Sequence, residues 1–311
     1  MRRRLAFVLL TLVSSSRPIH GWGCAGHHVV AMIAERRLNP RALAAVNELL
    51  EAEPIDPTLS RFCRDGTTEA FVSAATWPDD VKRAEGTGTW HYIDVPRAIA
   101  QGDLNQYCEA VGPPSNGSRP GCLLTALRDQ LAILKSGKRA DRARALRYVI
   151  HLVGDLHQPL HVNDNGDRGG NCVPVRFGPE LAMTNLHTLW DSGILDAELS
   201  RRHIAEKEYA MELDARYQQD FEHRAGEPRT LDQWIWDVHE IGVRVAYAKL
   251  RPPVPVHESD TSDDCTAESA RIRTLNIVIG ADYQRSAMEA IERLLALAGY
   301  RLAELLNQVW P

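Results

Sequence analysis

Apolar residues recur three and four positions apart along most of this chain. HHVVAMIAERRL (27–38) and RALAAVNELLEAE (41–53) carry that spacing and predict helices. ALRDQLAILKSG (126–137) and RARALRYVIHLVGDL (142–156) predict an antiparallel helical pair joined by GKRAD. TLDQWIWDVHEIGVRVAYAKL (230–250) and a long tail from Ala267 to Val309 extend the helical reading. Pro252, Pro253 and Pro255 stop the first of these, and the acidic run ESDTSDD (258–264) predicts a surface loop before the second. Only GDRGGNCVPVRFG departs, as a Gly-rich turn followed by a β-like stretch. No repeat and no domain boundary is visible. The expected fold class is all-α: one mainly helical domain over residues 22–311, with a small β-like hairpin near 171–178.

The first 21 residues follow a different pattern. Arg2, Arg3 and Arg4 precede a nine-residue stretch from Leu5 to Val13 that is apolar but for Thr11, and small and polar residues follow. Nine residues are too few to cross a bilayer as a helix, so residues 1–21 read as a secretory signal peptide cleaved after Gly21. No later segment is long and apolar enough for a membrane span. The expected location is secreted or periplasmic, with no stable membrane association and a monomer as the default.

Composition then narrows the chemistry. The formal charge of the chain is -5; without residues 1–21, which hold four arginines and no acids, it is -9. That is a poor match for a protein that grips nucleic acid by a broad basic surface. Six cysteines behind a leader suggest three disulfides, for which 15 pairings exist. Cys108 and Cys122 flank the loop EAVGPPSNGSRPG and are the expected first pair. Cys24–Cys63 and Cys172–Cys265 are taken with it. No CxxC occurs, which argues against a thiolate zinc cluster or a thioredoxin-like site.

HLVGDLHQPLH (151–161) packs three histidines and an aspartate into eleven positions. On a helix, His151 and Asp155 share a face at i and i+4. His157 lies about 200° around from Asp155 and cannot join them. Pro159 ends the helix nearby, so His161 is free to turn toward a different ion. NLHTLWD repeats the i, i+4 pairing with His187 and Asp191. TWPDD offers Asp79, and TWHYID offers His91. WGCAGH presents Trp22 and His27 at the expected cleavage site, where the freed α-amine and carbonyl of Trp22 could chelate a metal. Taken singly, a His–x3–Asp pair is more often a surface ion pair, and a lone histidine a structural one. Their conjunction is what argues for a metal centre.

In order and approximate spacing, WGCAGHH, ATWPDDVK, WHYIDVP, HLVGDLHQPLHV, RGGN and NLHTLWD resemble the motif series of the S1/P1 nucleases. The resemblance covers Trp22 to about Asp191, and the fold it implies is that of the phospholipase C/P1 nuclease type. It implies three Zn2+ ions. One is held by Asp79, His91, His151 and Asp155, and a second by His161, His187 and Asp191. The third is held by Trp22, His27 and the shared Asp155. Nitrogen and oxygen ligands without cysteine suit a catalytic zinc site.

The resemblance leaves His157 outside the ligand set. It implies that Asp79 orients the attacking water and that Lys82 offsets developing charge. It places Tyr92 and Asp94 against a nucleobase, by stacking and by hydrogen bonding. Fungal members carry asparagine after NLHTLWD, where this chain has Ser192. The activity implied is hydrolysis of single-stranded DNA and RNA to 5′-mononucleotides, with 3′-nucleotidase activity on nucleotides. A zinc-dependent phospholipase C acting on phospholipid head groups is the alternative with the same metal site.

Overall fold

The computed structural model describes residues 22–63, 69–109, 118–222, 229–257, 265, 272 and 274–311. The proposed leader (1–21) and the acidic run 258–264 lie outside these residues, as does most of the loop between Cys108 and Cys122. The helices are α1 (Cys24–Arg36), α2 (Pro40–Ala52), α3 (Ala70–Ala74), α4 (Trp77–Glu85), α5 (Asn105–Glu109), α6 (Leu123–Ser136) and α7 (Arg139–Leu156). They continue with α8 (Leu186–Thr188), α9 (Ile194–Arg202), α10 (Glu206–Glu222), α11 (Leu231–Ile241) and α12 (Ala281–Val309). Mainly helical architecture is thus what the periodicity specifies.

Local chemistry explains the boundaries. Asn39 caps α2, its Oδ1 accepting from Ala42 N–H at 2.8 Å, and Pro40 follows at the first helical position. Thr230 and Gln233 form a reciprocal capping box on α11. Helix α7 stops at Leu156, three residues before Pro159. From Ala143 onward all but Arg144 of α7 is buried, so it runs through the middle of the molecule instead of lying on its surface. That explains the apolar run from Tyr148 to Leu156, interrupted only by Gly154 and the candidate ligands His151 and Asp155.

Helices α1, α6, α10 and α12 pack around α7 or each other, and the buried apolar cluster runs without interruption from Trp22 to Leu306. Burying one Leu, Ile or Phe of this cluster stabilises by roughly 1.5–3 kcal/mol. Helices α6 and α7 form the expected antiparallel pair. The connection is shorter than GKRAD, because the helix resumes at Arg139.

Two readings need correction. The tail is not one helix from Ala267. Ile277–Val278 forms a strand, and α12 begins at Ala281 after Gly280. The hairpin is also larger than 171–178. Strand β1 (Pro174–Phe177) pairs antiparallel with β2 (Ala182–Asn185) and parallel with β3 (Ile277–Val278), in the order β2-β1-β3. A two-residue strand has no detectable period, so only its pairing with Val175 and Arg176 defines it.

Three disulfides are present, Cys24–Cys63, Cys108–Cys122 and Cys172–Cys265, the same pairs taken from the sequence. The first fixes the start of α1, directly after Trp22 and Gly23. Among the described residues no helix is long and apolar enough to cross a membrane.

Candidate metal centre

Helix α7 supplies His151 and Asp155 from one face, as their spacing requires. His151 Nε2 lies 3.0 Å from Asp155 Oδ2. His91, at the end of a short 3-10 turn, brings Nδ1 to 3.0 Å from the same oxygen and 2.9 Å from His151 Nε2. Asp79, in the first turn of α4, places Oδ1 3.7 Å from His91 Nδ1 and 3.9 Å from His151 Nε2. A tetrahedral zinc with bonds near 2.0–2.1 Å needs ligand atoms about 3.3 Å apart. These four atoms bracket that separation.

A second cluster forms beyond Pro159. His161 Nε2 is 3.6 Å from Asp191 Oδ1, and His187 Nε2 is 3.4 Å from Asp191 Oδ2. The two imidazoles stack with centroids 5.0 Å apart. Asp191 sits in a π-helical turn, Leu189–Gly193, that follows α8. Such turns widen a helix locally and occur often at functional sites.

Third, His27 stacks on His151 at 4.1 Å and places Nε2 3.4 Å from Asp155 Oδ1. Asp155 therefore directs its two oxygens at two different groups. Trp22 is fully buried beside them. A Cβ on Gly154, the residue before Asp155, would lie 2.8 Å from His27 Nδ1 and 3.9 Å from Trp22 Cδ1. Only glycine permits that approach.

Imidazole orientation is set from behind. His151 Nδ1 donates to the Ala75 carbonyl (2.6 Å), His161 Nδ1 to that of His91 (2.7 Å), and His187 Nδ1 to that of Gly169 (2.7 Å). Each bond fixes the tautomer that turns an Nε2 lone pair toward the centre. The donor set fits a metal on a further ground. Of the atoms that face the centre, His27 Nε2, Asp155 Oδ1, His161 Nε2 and His187 Nε2 are buried without a hydrogen-bond partner. Orphaned polar atoms are costly, and buried ones usually have partners or coordinate metals.

Electrostatics point the same way. Burial pushes the Asp155 carboxyl up, but His151 and His161 outweigh it and hold it well below the usual carboxylate range. Asp79 behaves alike: burial raises it, while His151, Lys82 and His91 together bring it down. Burial lowers His27 and His91 to about 4. His161 rises to about 9, because Asp155 and Asp191 outweigh its burial. The site concentrates buried carboxylates among imidazoles, His27 and His91 of them neutral, which is where a divalent cation is favoured.

Lys82 Nζ lies 2.8 Å from Asp79 Oδ1. Tyr92 and Asp94 are half-buried and alternate with fully buried Ile93 and Val95. Tyr92 is thus on the outer side of its segment and not a core aromatic. His157 faces away from the centre. Its Nδ1 donates to Val153 O (2.7 Å), and its Nε2 accepts from Arg301 (3.0 Å).

One residue escaped the sequence reading. Fully buried Gln158 donates from Nε2 to Asp191 Oδ1 and accepts the Leu160 N–H at Oε1 (2.5 Å). Its place between His157 and Pro159 gave no signal, because its partner is 33 residues away. Gln158→Leu is expected to leave Asp191 unoriented and to weaken zinc retention about 10–100-fold, read by chelator competition. Retention equal to the parent protein would remove Gln158 from the centre's support.

A sequence model of the S1/P1 Nuclease family matches residues 22–311. The chain is 33% identical to Endonuclease 2 of Arabidopsis thaliana over 62% of each chain, so that match spans less than two thirds of that protein. It is 26% identical to Endonuclease 4 of Arabidopsis thaliana, over 93% of this chain and 89% of that one. It is 26% identical to Nuclease S1 of Aspergillus oryzae over 98% of both chains.

Proposed function

Because the chain belongs to the S1/P1 nuclease family, we propose that this nuclease cleaves single-stranded DNA and RNA to 5′-mononucleotides with three Zn2+ ions, and that it also removes 3′ phosphates from nucleotides. The observation that carries the reading is Asp155, with Oδ2 among His91, His151 and Asp79 and Oδ1 toward His27. One zinc is assigned to Asp79, His91, His151 and Asp155, and another to His161, His187 and Asp191. A third is assigned to His27, Asp155 and the amine and carbonyl of Trp22, once cleavage after Gly21 has freed that amine. Bound zinc supplies Lewis acidity toward the phosphate oxygens and acidifies water.

The protein groups divide the remaining work. Asp79, held ionised, accepts a hydrogen bond from the attacking water and orients it toward phosphorus. Lys82 sets a positive charge beside it, where negative charge grows in the transition state. Tyr92 stacks on a base and Asp94 accepts from its edge, so an unpaired base is required and any base is tolerated. At Ser192 the short side chain turns back toward the Thr188 carbonyl (3.5 Å) and gives up the reach of asparagine. Metal charge at the centre offsets the acidic balance of the chain, so a few nucleotides are gripped and not a long strand. Three disulfides fit an oxidising location, and we read the protein as a secreted or periplasmic monomer.

The test compares zinc-loaded protein starting at Trp22 on single-stranded DNA and on phosphatidylcholine. Release of 5′-mononucleotides from DNA is expected, abolished by EDTA and restored by zinc. Lipid turnover without nucleotide release would instead establish the phospholipase C alternative.

A further inference from the structure

Beside the ligand groups lie two buried acids that this chemistry does not use, Asp164 (5% exposed) and Asp167 (0%). Both carboxylates are turned to donors of the protein itself. Asp164 Oδ1 accepts from the main-chain N–H of Asp167 (3.1 Å) and of Gly169 (3.2 Å). Asp167 Oδ1 accepts from the Gly170 N–H (2.8 Å) and the Tyr247 hydroxyl (2.9 Å). They are therefore caps for a turn, not ligands.

The turn needs them. Arg168, Gly169 and Gly170 have φ of 57°, 59° and 83°, three left-handed residues in succession. A Cβ on Gly169 would stand 2.4 Å from the Leu160 carbonyl. Local preference does not hold such a path, so it persists only where its surroundings fix it. What the path achieves appears on its carbonyls. Gly169 O accepts His187 Nδ1 at 2.7 Å, and Gly170 O accepts the His187 main-chain N–H at 3.4 Å. His187 is seated on the turn by ring and backbone together. Tyr247 closes the far side from a π-helical segment, Gly242–Tyr247, with the Arg97 guanidinium 4.7 Å over its ring.

We infer that Asp167, clamped by Tyr247, is a positioning residue for His187: it holds the Gly169–Gly170 turn whose carbonyls orient that imidazole. The inference rests on reading His161, His187 and Asp191 as a zinc-binding group. Without the clamp the turn relaxes, His187 Nδ1 loses its fixed acceptor, and its Nε2 is no longer held toward Asp191. Only this one group should feel the change, because the acceptors of His151 and His161 belong to Ala75 and His91.

The experiment titrates zinc out of the holoenzyme with a chelator and counts the ions that remain. Parent protein, Asp167→Ala, Tyr247→Phe and Asp167→Asn are compared, with melting temperatures alongside. Asp167→Ala and Tyr247→Phe are expected to release one zinc at about 10–100-fold lower chelator concentration, with the other two unmoved. Asp167→Asn keeps an oxygen that accepts from Gly170 and Tyr247, and is expected to restore parent-like retention. Parent-like retention of all three ions in Tyr247→Phe, or in folded Asp167→Ala, overturns the inference. So does uniform weakening of all three ions, which marks a general loss of stability. His187→Ala separates the underlying reading: an unchanged zinc count there removes the metal group itself, and the inference with it.

Discussion

Asp155→Asn is expected to lower phosphodiester hydrolysis by about a thousandfold, the loss of roughly 4 kcal/mol of transition-state stabilisation. The substitution removes charge from a carboxylate whose two oxygens serve two ligand groups. It also puts an amide N–H where one of those oxygens meets imidazole nitrogens at 3.0 to 3.4 Å. His157→Ala, two residues on, is the matched control. Its cost falls on stability, about 1–3 kcal/mol, because Arg301 Nη1 loses its acceptor in a buried site. Activity per folded molecule should change little. Steady-state kinetics and chemical denaturation on both variants separate the two effects. Equal losses of kcat/KM would mean that His157 belongs to the centre.

The second large effect concerns the start of the mature chain. A single extra residue ahead of Trp22 converts its amine into an amide, which cannot chelate zinc in the same way. Such a form is expected to bind one zinc fewer and to lose at least about a hundredfold in activity, some 3 kcal/mol. Removing the extra residue with an aminopeptidase should restore both. Full activity from an extended form, with its mass verified intact, would refute a chelating terminus. The burial of Trp22 against Gly154 and His27 makes the expectation specific, since the chain there has no room to be displaced and compensate.

Much of this was legible in HLVGDLHQPLH and NLHTLWD, for a physical reason. Helical phase is a local property, so i and i+4 paired His151 with Asp155 and His187 with Asp191, and turned His157 away. A proline-terminated helix is equally local, and it separated His161 from the others. What the sequence did not disclose is what depends on distant partners. Gln158 supports Asp191, and Asp167 supports a turn used by His187; neither spacing carries a period. The strand Ile277–Val278 exists only because β1 lies beside it. The turn at Asp191 is π-helical where the sequence implied an ordinary helix, and the pairing survived because both geometries bring i and i+4 to one side.

The clasp between the two ends of the chain has a consequence for how the enzyme comes into being. Helix α1, which carries His27, rests on α12: a Cβ on Gly299 would meet Ile33 at 2.6 Å, Arg37 lies 4.6 Å over the Tyr300 ring, and Asn307 bonds to Arg37 and Asn39. Partners separated by some 270 positions cannot meet until nearly the whole polypeptide has been made. Helix α1, which also packs on α3, α7 and α10, therefore completes its seat only after α12 has been made. The packing behind His27 is thus among the last parts of the fold to close.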